Sequence, residues 1–285
     1  MIYVREDLKP LFPEDSVAEF MKIEGETVKH VVEDRHTFRF ERGGKLFYMK
    51  AHFGVGWKEI FKNLVTLKAP VLGAKNEWQA IRAFEQLGVP TMRIAAYGKI
   101  GWNPARRHSF LITDALEKTE DLEQWLPTLD MKQPEDVRLK RAIISRLGQI
   151  ARTLHQSGLN HRDFYLCHFR LDLLNGKPDT GSVRLYVMDL HRVMQHNTLP
   201  KRWQIKDLAA LLYSSLHSCS QRSITVRDLL RFVAEYRGQT WRQSLKQDRK
   251  LWQAVLRRSV QLSKRGRIAY PHLPAALQEY MGSHD

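Results

Sequence analysis

Near the middle of the chain, Asn160-His161-Arg162-Asp163-Phe164-Tyr165-Leu166-Cys167-His168-Phe169 gathers a carboxylate, a guanidinium and two imidazoles in one short stretch. It begins just after a long amphipathic pattern, so Asp163 is expected on a loop rather than in a core. Strands are predicted over 169–174 and 183–188, joined through Asn175-Gly176-Lys177-Pro178-Asp179, a run of turn formers. In an antiparallel hairpin the start of one strand lies beside the end of the other. His168 and Asp189 are therefore expected together at its open end, with Asp163 just upstream. Two carboxylates and an imidazole so gathered suit a reaction in which one carboxylate binds a divalent cation while the other orients an attacking hydroxyl.

Taken singly, these residues have ordinary explanations. A His-Arg-Asp tripeptide is common, and Arg162 with Asp163 reads as a surface ion pair. Lys50 is a strand-end lysine, and Glu77 a first-turn glutamate favoured by the helix dipole. Cys167 is a small hydrophobe in a packed loop. His155 and His161 read as core hydrogen-bonding residues rather than ligands. The ordered spacing of Lys50, Glu77, Asp163, Asp189 and Asp207 raises the group above its members.

The elements that must hold these residues follow from periodicity. Segments 27–32, 37–41 and 45–51 are rich in Val, Phe, Thr and Tyr and read as strands, the last two joined through Arg42-Gly43-Gly44. An amphipathic basic segment covers 57–67, with Ala69-Pro70 as a breaker. A helix is predicted over 77–87, closed by Gly88, then strands over 92–97 and 109–113. Segment 114–123 reads as a hinge. Beyond it, Val137, Leu139, Ile143, Leu147, Ile150 and Leu154 share one helical face, with Gly158 at the C′ position. From Trp203 onward the pattern is helical. Strands with one helix, then helices with one hairpin, predict a two-lobed α+β fold.

Composition narrows the class. The 285 residues carry 46 Lys+Arg against 31 Asp+Glu, a net charge of +15, yet 43% are hydrophobic and 10% aromatic, which excludes a disordered chain. No apolar run approaches the ~18–20 residues that cross a bilayer, and the first ten residues lack a signal-peptide core. Cys167 and Cys219 alone exclude a disulfide framework or a four-cysteine zinc site. A soluble protein of a reducing compartment with an anionic partner is expected. No zinc finger, arginine-glycine repeat or aromatic RNA-binding strand is present, so nucleic acid is not expected. The charge concentrates in 237–267, where ten residues are basic and only Asp248 is acidic, and Trp241, Leu245, Trp252, Val255 and Leu256 recur at helical spacing. That stretch is either a docked helix with a solvated basic face or a membrane-surface element.

These motifs resemble the protein-kinase-like fold. His161-Arg162-Asp163 is similar to the catalytic loop motif, and Asp189 in Met188-Asp189-Leu190-His191 to the Mg²⁺-binding aspartate. Lys50 resembles the lysine that holds the α- and β-phosphates, and Glu77 its ion-pair partner. Asp207 resembles the buried helix aspartate that buttresses the catalytic loop. Thr113, Asp114, Ala115 and Leu116 match the hinge facing adenine. Three segments narrow the resemblance: Pro70-Val71-Leu72-Gly73-Ala74 with Glu77-Trp78; Asn160 to Asp163 with Cys167-His168-Phe169; and Asp189-Leu190-His191-Arg192 with Arg202-Trp203 and Lys206-Asp207-Leu208. Together, from about Glu26 to Tyr236, they resemble the lipopolysaccharide core heptose(I) kinases of Gram-negative bacteria. The resemblance implies an N-lobe over 1–114, and a hinge and helical C-lobe over 115–285. It implies transfer of the ATP γ-phosphoryl, with Mg²⁺, to the first heptose of a lipopolysaccharide core glycolipid. The expected location is the cytoplasmic face of the inner membrane. An anionic membrane surface and an acidic protein such as acyl carrier protein are the partners that the basic excess would meet.

Three departures from the kinase pattern stand out. His168 occupies the position of the second metal-binding Asn, and imidazole is a poor ligand for Mg²⁺, so His168 is assigned either to a phosphate or to a site with one metal held differently. Leu190-His191 replaces the usual Phe-Gly, which argues against a flipping activation switch. The turn expected over the nucleotide, 32–36, has no glycine to cradle phosphates, leaving Arg35 or His36 to supply charge. Rival functions are a kinase acting on Kdo or on protein tyrosine, or a non-catalytic module binding anionic lipid or an acidic protein. Only 190–200 separate Asp189 from the Arg202-Trp203 helix, which favours a small or glycan acceptor. The joint presence of Lys50, Glu77, Asp163 and Asp189 argues against a pure binder.

Overall fold

The computed structural model describes residues 1–32, 35–54, 56–57, 73–103, 105–218 and 224–266. The expected basic helix over 57–67 lies almost wholly outside these residues, as do most of the 70–74 motif, Cys219 and the tip of the 32–36 turn. The described chain divides into two units. The first comprises Met1–Gln86, Thr91–Glu117 and Leu190–Arg192, and the second Leu87–Pro90, Lys118–Asp189 and Val193–Asp285.

The first unit is built on a six-stranded sheet of β1 (Ile2–Val4), β2 (Glu26–Val32), β3 (Arg35–Arg42), β4 (Lys45–His52), β5 (Ile94–Ile100) and β6 (His108–Asp114). Their spatial order is β1-β5-β6-β4-β3-β2, and every pairing is antiparallel. Gly43 and Gly44, at φ 59° and 69°, make the left-handed two-residue turn that reverses β3 into β4. On β4 the period of two buries Phe47, Met49 and Ala51. They meet Phe12, Phe20, Phe40 and Phe110 in an aromatic core, to which α1 (Val17–Phe20) contributes. Because side chains alternate across a strand, Lys50 then projects from the opposite face. There α2 (Lys75–Gln86) brings Glu77, in its first turn, into hydrogen-bonding reach of Lys50. The strand predicted over 92–97 starts two residues later and runs on to Ile100, because pairing with β6 continues to Ile100↔His108.

The second unit is mainly helical, with α3 (Leu122–Trp125), α4 (Pro134–Gln156), α5 (Lys201–Ser218), α6 (Val226–Arg237), α7 (Trp241–Gln247) and α8 (Arg249–Gly266). The long helix starts as its sequence implies, with Pro134 at its first position and Glu135 and Asp136 in its first turn. It ends at Gly158, whose φ of +78° suits the left-handed C′ position; a Cβ there would lie 2.0 Å from the His196 carbonyl oxygen. Segment 114–123 is not the plain hinge expected: Thr119–Asp121 forms β7, which pairs with β9 (Phe169–Asp172), and β9 pairs with β10 (Leu185–Val187). The paired part of that hairpin is shorter than 169–174 and 183–188. A two-stranded ladder joins β8 (Leu159–Asn160) to β11 (Met194–Gln195).

The basic C-terminal stretch forms α7 and α8, and its apolar stripe faces inward: Trp252, Val255 and Leu256 are buried. Arg242, Lys246, Lys250, Arg257, Lys264 and Arg265 remain exposed. The docked-helix alternative therefore accounts for the apolar periodicity. An apolar cavity of about 350 Å³ lies in this unit, lined by Leu147, Leu208, Leu212, Leu229, Val233 and Trp252 among others.

Candidate active site

In the first unit the central feature is the Lys50–Glu77 pair, Nζ to Oε1 2.5 Å, with the Glu77 side chain only 2% exposed. A carboxylate this buried needs a partner, and Lys50 supplies it. The pair fixes an ammonium on the sheet face opposite the Phe47 and Met49 core. His52, two residues on and buried, has its pKa lowered to about 3, chiefly because burial disfavours the charged ring. Arg35, directly across from His52 on β3, together with Lys50 and His191, adds repulsion in the same direction. Arg35 and Lys50 thus make a positive local field with His52 neutral between them.

The segment matched to the adenine-facing hinge continues β6. Thr113 is buried, and the Asp114 and Ala115 N–H groups donate to the Arg93 and Leu46 carbonyls, each at 3.0 Å. The Asp114 carboxylate is engaged by Arg5, Nη1 to Oδ2 2.8 Å, while the same guanidinium nitrogen donates to the Ile94 carbonyl. Leu116 follows at the edge of the unit. Arg5 was missed from sequence: it sits in an irregular segment with no periodicity, and nothing local marks it as a partner of Asp114.

In the second unit the His161-Arg162-Asp163 loop is seated on α5. Asp207, fully buried, accepts the backbone N–H groups of His161 and Arg162 at 2.6 and 2.8 Å, one on each carboxylate oxygen. Seven residues on, two helical turns along the same face, Ser214 Oγ accepts the Leu166 N–H at 2.8 Å. These two clips hold both ends of the loop that carries Asp163. Sequence reasoning missed Ser214; its seven-residue spacing from Asp207 on one helix was the available signal.

Within the loop, Phe164 is fully buried and anchors the peptide that follows Asp163. The Asp163 carbonyl accepts the Tyr165 N–H at 2.9 Å and His168 Nδ1 at 2.6 Å. A carbonyl can only accept, so His168 carries a proton on Nδ1 and turns Nε2 toward Asp189 Oδ2, 3.7 Å away. The hairpin register Phe169↔Val187 produces this juxtaposition. His161, 1% exposed, sits opposite the Met188 carbonyl at 2.8 Å, so its proton lies on Nε2. Burial pushes its imidazole below the usual histidine range, against the opposing influence of Asp207. It is a core hydrogen-bonding residue, as is His155, whose Nδ1 meets Tyr236 Oη at 2.9 Å.

Arg162 is half-buried. Its guanidinium lies over the Trp203 ring at 5.2 Å, with Nη1 3.5 Å from Met194 Sδ. Its backbone is left-handed, φ +73°, as is that of Asp189, φ +60°. Both conformations are costly for residues with a Cβ, and that of Arg162 is held by its N–H bond to Asp207.

Asp189 offers a hard oxygen donor, whereas His168 beside it offers nitrogen. Among the described residues, no cluster of three or more His, Cys, Asp or Glu side chains could hold a metal ion by itself. Mg²⁺ in phosphoryl transfer needs only one or two carboxylates and takes its remaining ligands from phosphate and water. The donor set therefore fits a nucleotide-borne Mg²⁺ rather than a resident protein cage.

A strand lysine paired with a buried helix glutamate, and a His-Arg-Asp loop seated on a buried helix aspartate, define the protein-kinase-like class. A model of the lipopolysaccharide kinase (Kdo/WaaP) family matches residues 18–236, and the chain belongs to that family. The lipopolysaccharide core heptose(I) kinase WaaP of Pseudomonas aeruginosa PAO1 is 43% identical over 236 residues, 82% of this chain and 85% of the relative. The enzyme of the same name from Escherichia coli K12 is 40% identical over 253 residues, 88% and 92% of the two chains. A solved structure described as WaaP in complex with acyl carrier protein superposes with a TM-score of 0.75 at 34% identity, covering 92% of this chain and 99% of that one.

Proposed function

We propose that this protein transfers the γ-phosphoryl group of ATP to the first heptose of the lipopolysaccharide inner core. The observation that carries this is that two relatives covering more than four fifths of the chain, at 40% and 43% identity, both bear the name heptose(I) kinase. The Asp163 loop supplies chemistry suited to that transfer. Asp163 accepts the proton of the heptose hydroxyl as its oxygen forms a bond to the γ-phosphorus and the bond to the β-phosphate oxygen breaks, releasing ADP. Lys50, braced by Glu77, neutralises the α- and β-phosphates, with Arg35 adding to the same field. Thr113, Asp114, Ala115 and Leu116 face the base. Asp189 would hold Mg²⁺, which supplies further charge neutralisation on the phosphates. His168 and Asp207 keep the loop and the metal-binding carboxylate in register, and Arg162, packed on Trp203, fixes the peptide before Asp163. Orientation and fixed charge carry most of such a rate enhancement, since the protein forms no covalent bond to the phosphoryl group.

No helix among the described residues is long and apolar enough to cross a membrane. We place the protein at the cytoplasmic face of the inner membrane as a peripheral enzyme, consistent with a glycolipid acceptor and the +15 charge. An acyl carrier protein is the proposed acidic partner, on the strength of the complex named for the structural relative. The exposed basic residues of α7 and α8 suit an acidic surface, and the neighbouring apolar cavity would suit an acyl chain.

The test is mass-spectrometric detection of phosphate on a heptose-containing core oligosaccharide incubated with ATP and purified protein. Asp163→Ala should lower turnover by about 10²–10⁴-fold with an unchanged unfolding transition. Turnover by Asp163→Ala at the wild-type rate would refute the role of Asp163, and phosphate found on Kdo instead would refute the acceptor.

A further inference from the structure

The first unit carries an exposed apolar and basic surface that the phosphotransfer chemistry leaves unused. Of the seven exposed large apolar side chains among the described residues, four are Phe53, Trp57, Ile100 and Trp102. They lie in two segments that the fold makes neighbours. His52 and Ser109 are register partners, the Gly56 N–H donates to the Ala105 carbonyl at 3.1 Å, and Gly54 approaches Arg106 closely enough that a Cβ would lie 3.0 Å from its Cα. Phe53 packs between the rings of His36 and His108 and is still 39% exposed.

Trp102 is 89% exposed, yet its loop is braced. Asn103 Oδ1 accepts the Ala105 N–H at 2.9 Å, and the Arg106 N–H donates to the Asn103 carbonyl at 3.1 Å. The Arg107 guanidinium donates to the carbonyls of Gly101 and Trp102 at 3.3 and 3.1 Å. A loop tied at these points holds the indole out in solvent instead of letting it fold back onto the sheet. Segment 99–108 contains Lys99, Arg106 and Arg107 and no acidic residue. Tryptophan with aliphatic neighbours and a basic surround is the composition that seats in the headgroup layer of an anionic bilayer. On the basic helix α8, Trp252, Val255 and Leu256 are buried and so withdrawn from a bilayer. The surface also lies at the end of β4 just past Lys50, and at the opposite end of β6 from Thr113 and Asp114.

We propose that Phe53, Ile100 and Trp102, with Lys99 and Arg106, form the surface by which this protein docks on an anionic lipid bilayer. This rests on the functional reading only in that a glycolipid acceptor would be presented by such a bilayer.

The test is sedimentation with vesicles of 3:1 phosphatidylethanolamine and phosphatidylglycerol, without ATP or acceptor, using the full chain. Ile100→Ser/Trp102→Ser and Lys99→Glu/Arg106→Glu should each weaken binding at least tenfold. Leu174→Ser, which removes an exposed leucine of the second unit, should not change it. The first double variant should keep wild-type turnover of soluble core oligosaccharide and lose turnover of glycolipid embedded in vesicles. Unchanged sedimentation of both double variants overturns the proposal, as does an equal loss in Leu174→Ser. So does loss of acyl carrier protein capture with vesicle binding intact, which would make the surface a protein-docking site. Inactivity of the wild type on soluble oligosaccharide would instead refute the heptose assignment and leave the vesicle result standing on its own.

Discussion

Asp207→Ala isolates the bond on which the Asp163 loop depends most. The Asp207 carboxylate is fully buried and accepts two backbone N–H groups, from His161 at 2.6 Å and Arg162 at 2.8 Å. Alanine leaves both donors buried without an acceptor, at about 1–3 kcal/mol each, or about 2–6 kcal/mol together. Relief of the desolvated charge offsets part of this, so a loss near the middle of that range is expected in urea unfolding. The loss should be accompanied by a fall in turnover, because these two bonds tie the left-handed backbone of Arg162, φ +73°, to α5. Asp207→Asn keeps an acceptor for one N–H but turns an amide NH₂ toward the other, and should fall between wild type and alanine. Ser214→Ala removes only the Leu166 clip, and should cost about 1 kcal/mol with a smaller effect on turnover. A loss of less than about 1 kcal/mol in Asp207→Ala, or turnover of core oligosaccharide at the wild-type rate, would refute the clamping role of Asp207.

Breaking the Lys50–Glu77 pair with Lys50→Met should destabilise the first unit by about 3 kcal/mol, the low end for a buried pair because Lys50 keeps some solvent contact. Lys50→Met/Glu77→Gln should regain most of that stability without regaining activity, and equal stability of the single and double variants would refute the pairing argument. His52, held at a pKa of about 3 against 6.5 in the unfolded chain, binds fewer protons folded than unfolded between those values. Stability should therefore fall as pH drops below 6.5, with this residue contributing up to about 1.4 kcal/mol per pH unit, and urea unfolding of His52→Gln between pH 7 and 5 should show a flatter dependence. Gly158→Ala combines a positive φ with a Cβ 2.0 Å from the His196 carbonyl oxygen, whereas Gly176→Ala, at φ +84°, meets open space. Thermal unfolding should show a loss of about 1 kcal/mol for Gly176→Ala and a clearly larger one for Gly158→Ala.

Much of the fold is written in consecutive residues. Arg42-Gly43-Gly44 between two β-rich runs signalled the hairpin, and Lys50 was legible as the residue ending its second strand. The stripe from Val137 to Leu154 and the stop at Gly158 defined the long helix. The turn formers at 175–179 set the hairpin that brings His168 to Asp189. Short pairings were hidden. Ile2–Val4 and Thr119–Asp121 are three residues each, too short for a period to show, and they pair on the edges that β5 and β9 offer.

The sequence by itself determined the chemical inventory and its order along the chain, together with the local elements that carry it, because periodicity, turn chemistry and helix stops act over a few residues. Only the tertiary structure decided what holds that inventory in place. Arg162 was laid over Trp203, Asp114 was claimed by Arg5, and Asp207 with Ser214 clamped a loop some 45 residues upstream. Each of these choices satisfies a buried or half-buried polar group, and the partner able to satisfy it is set by which distant segments the packed core brings together.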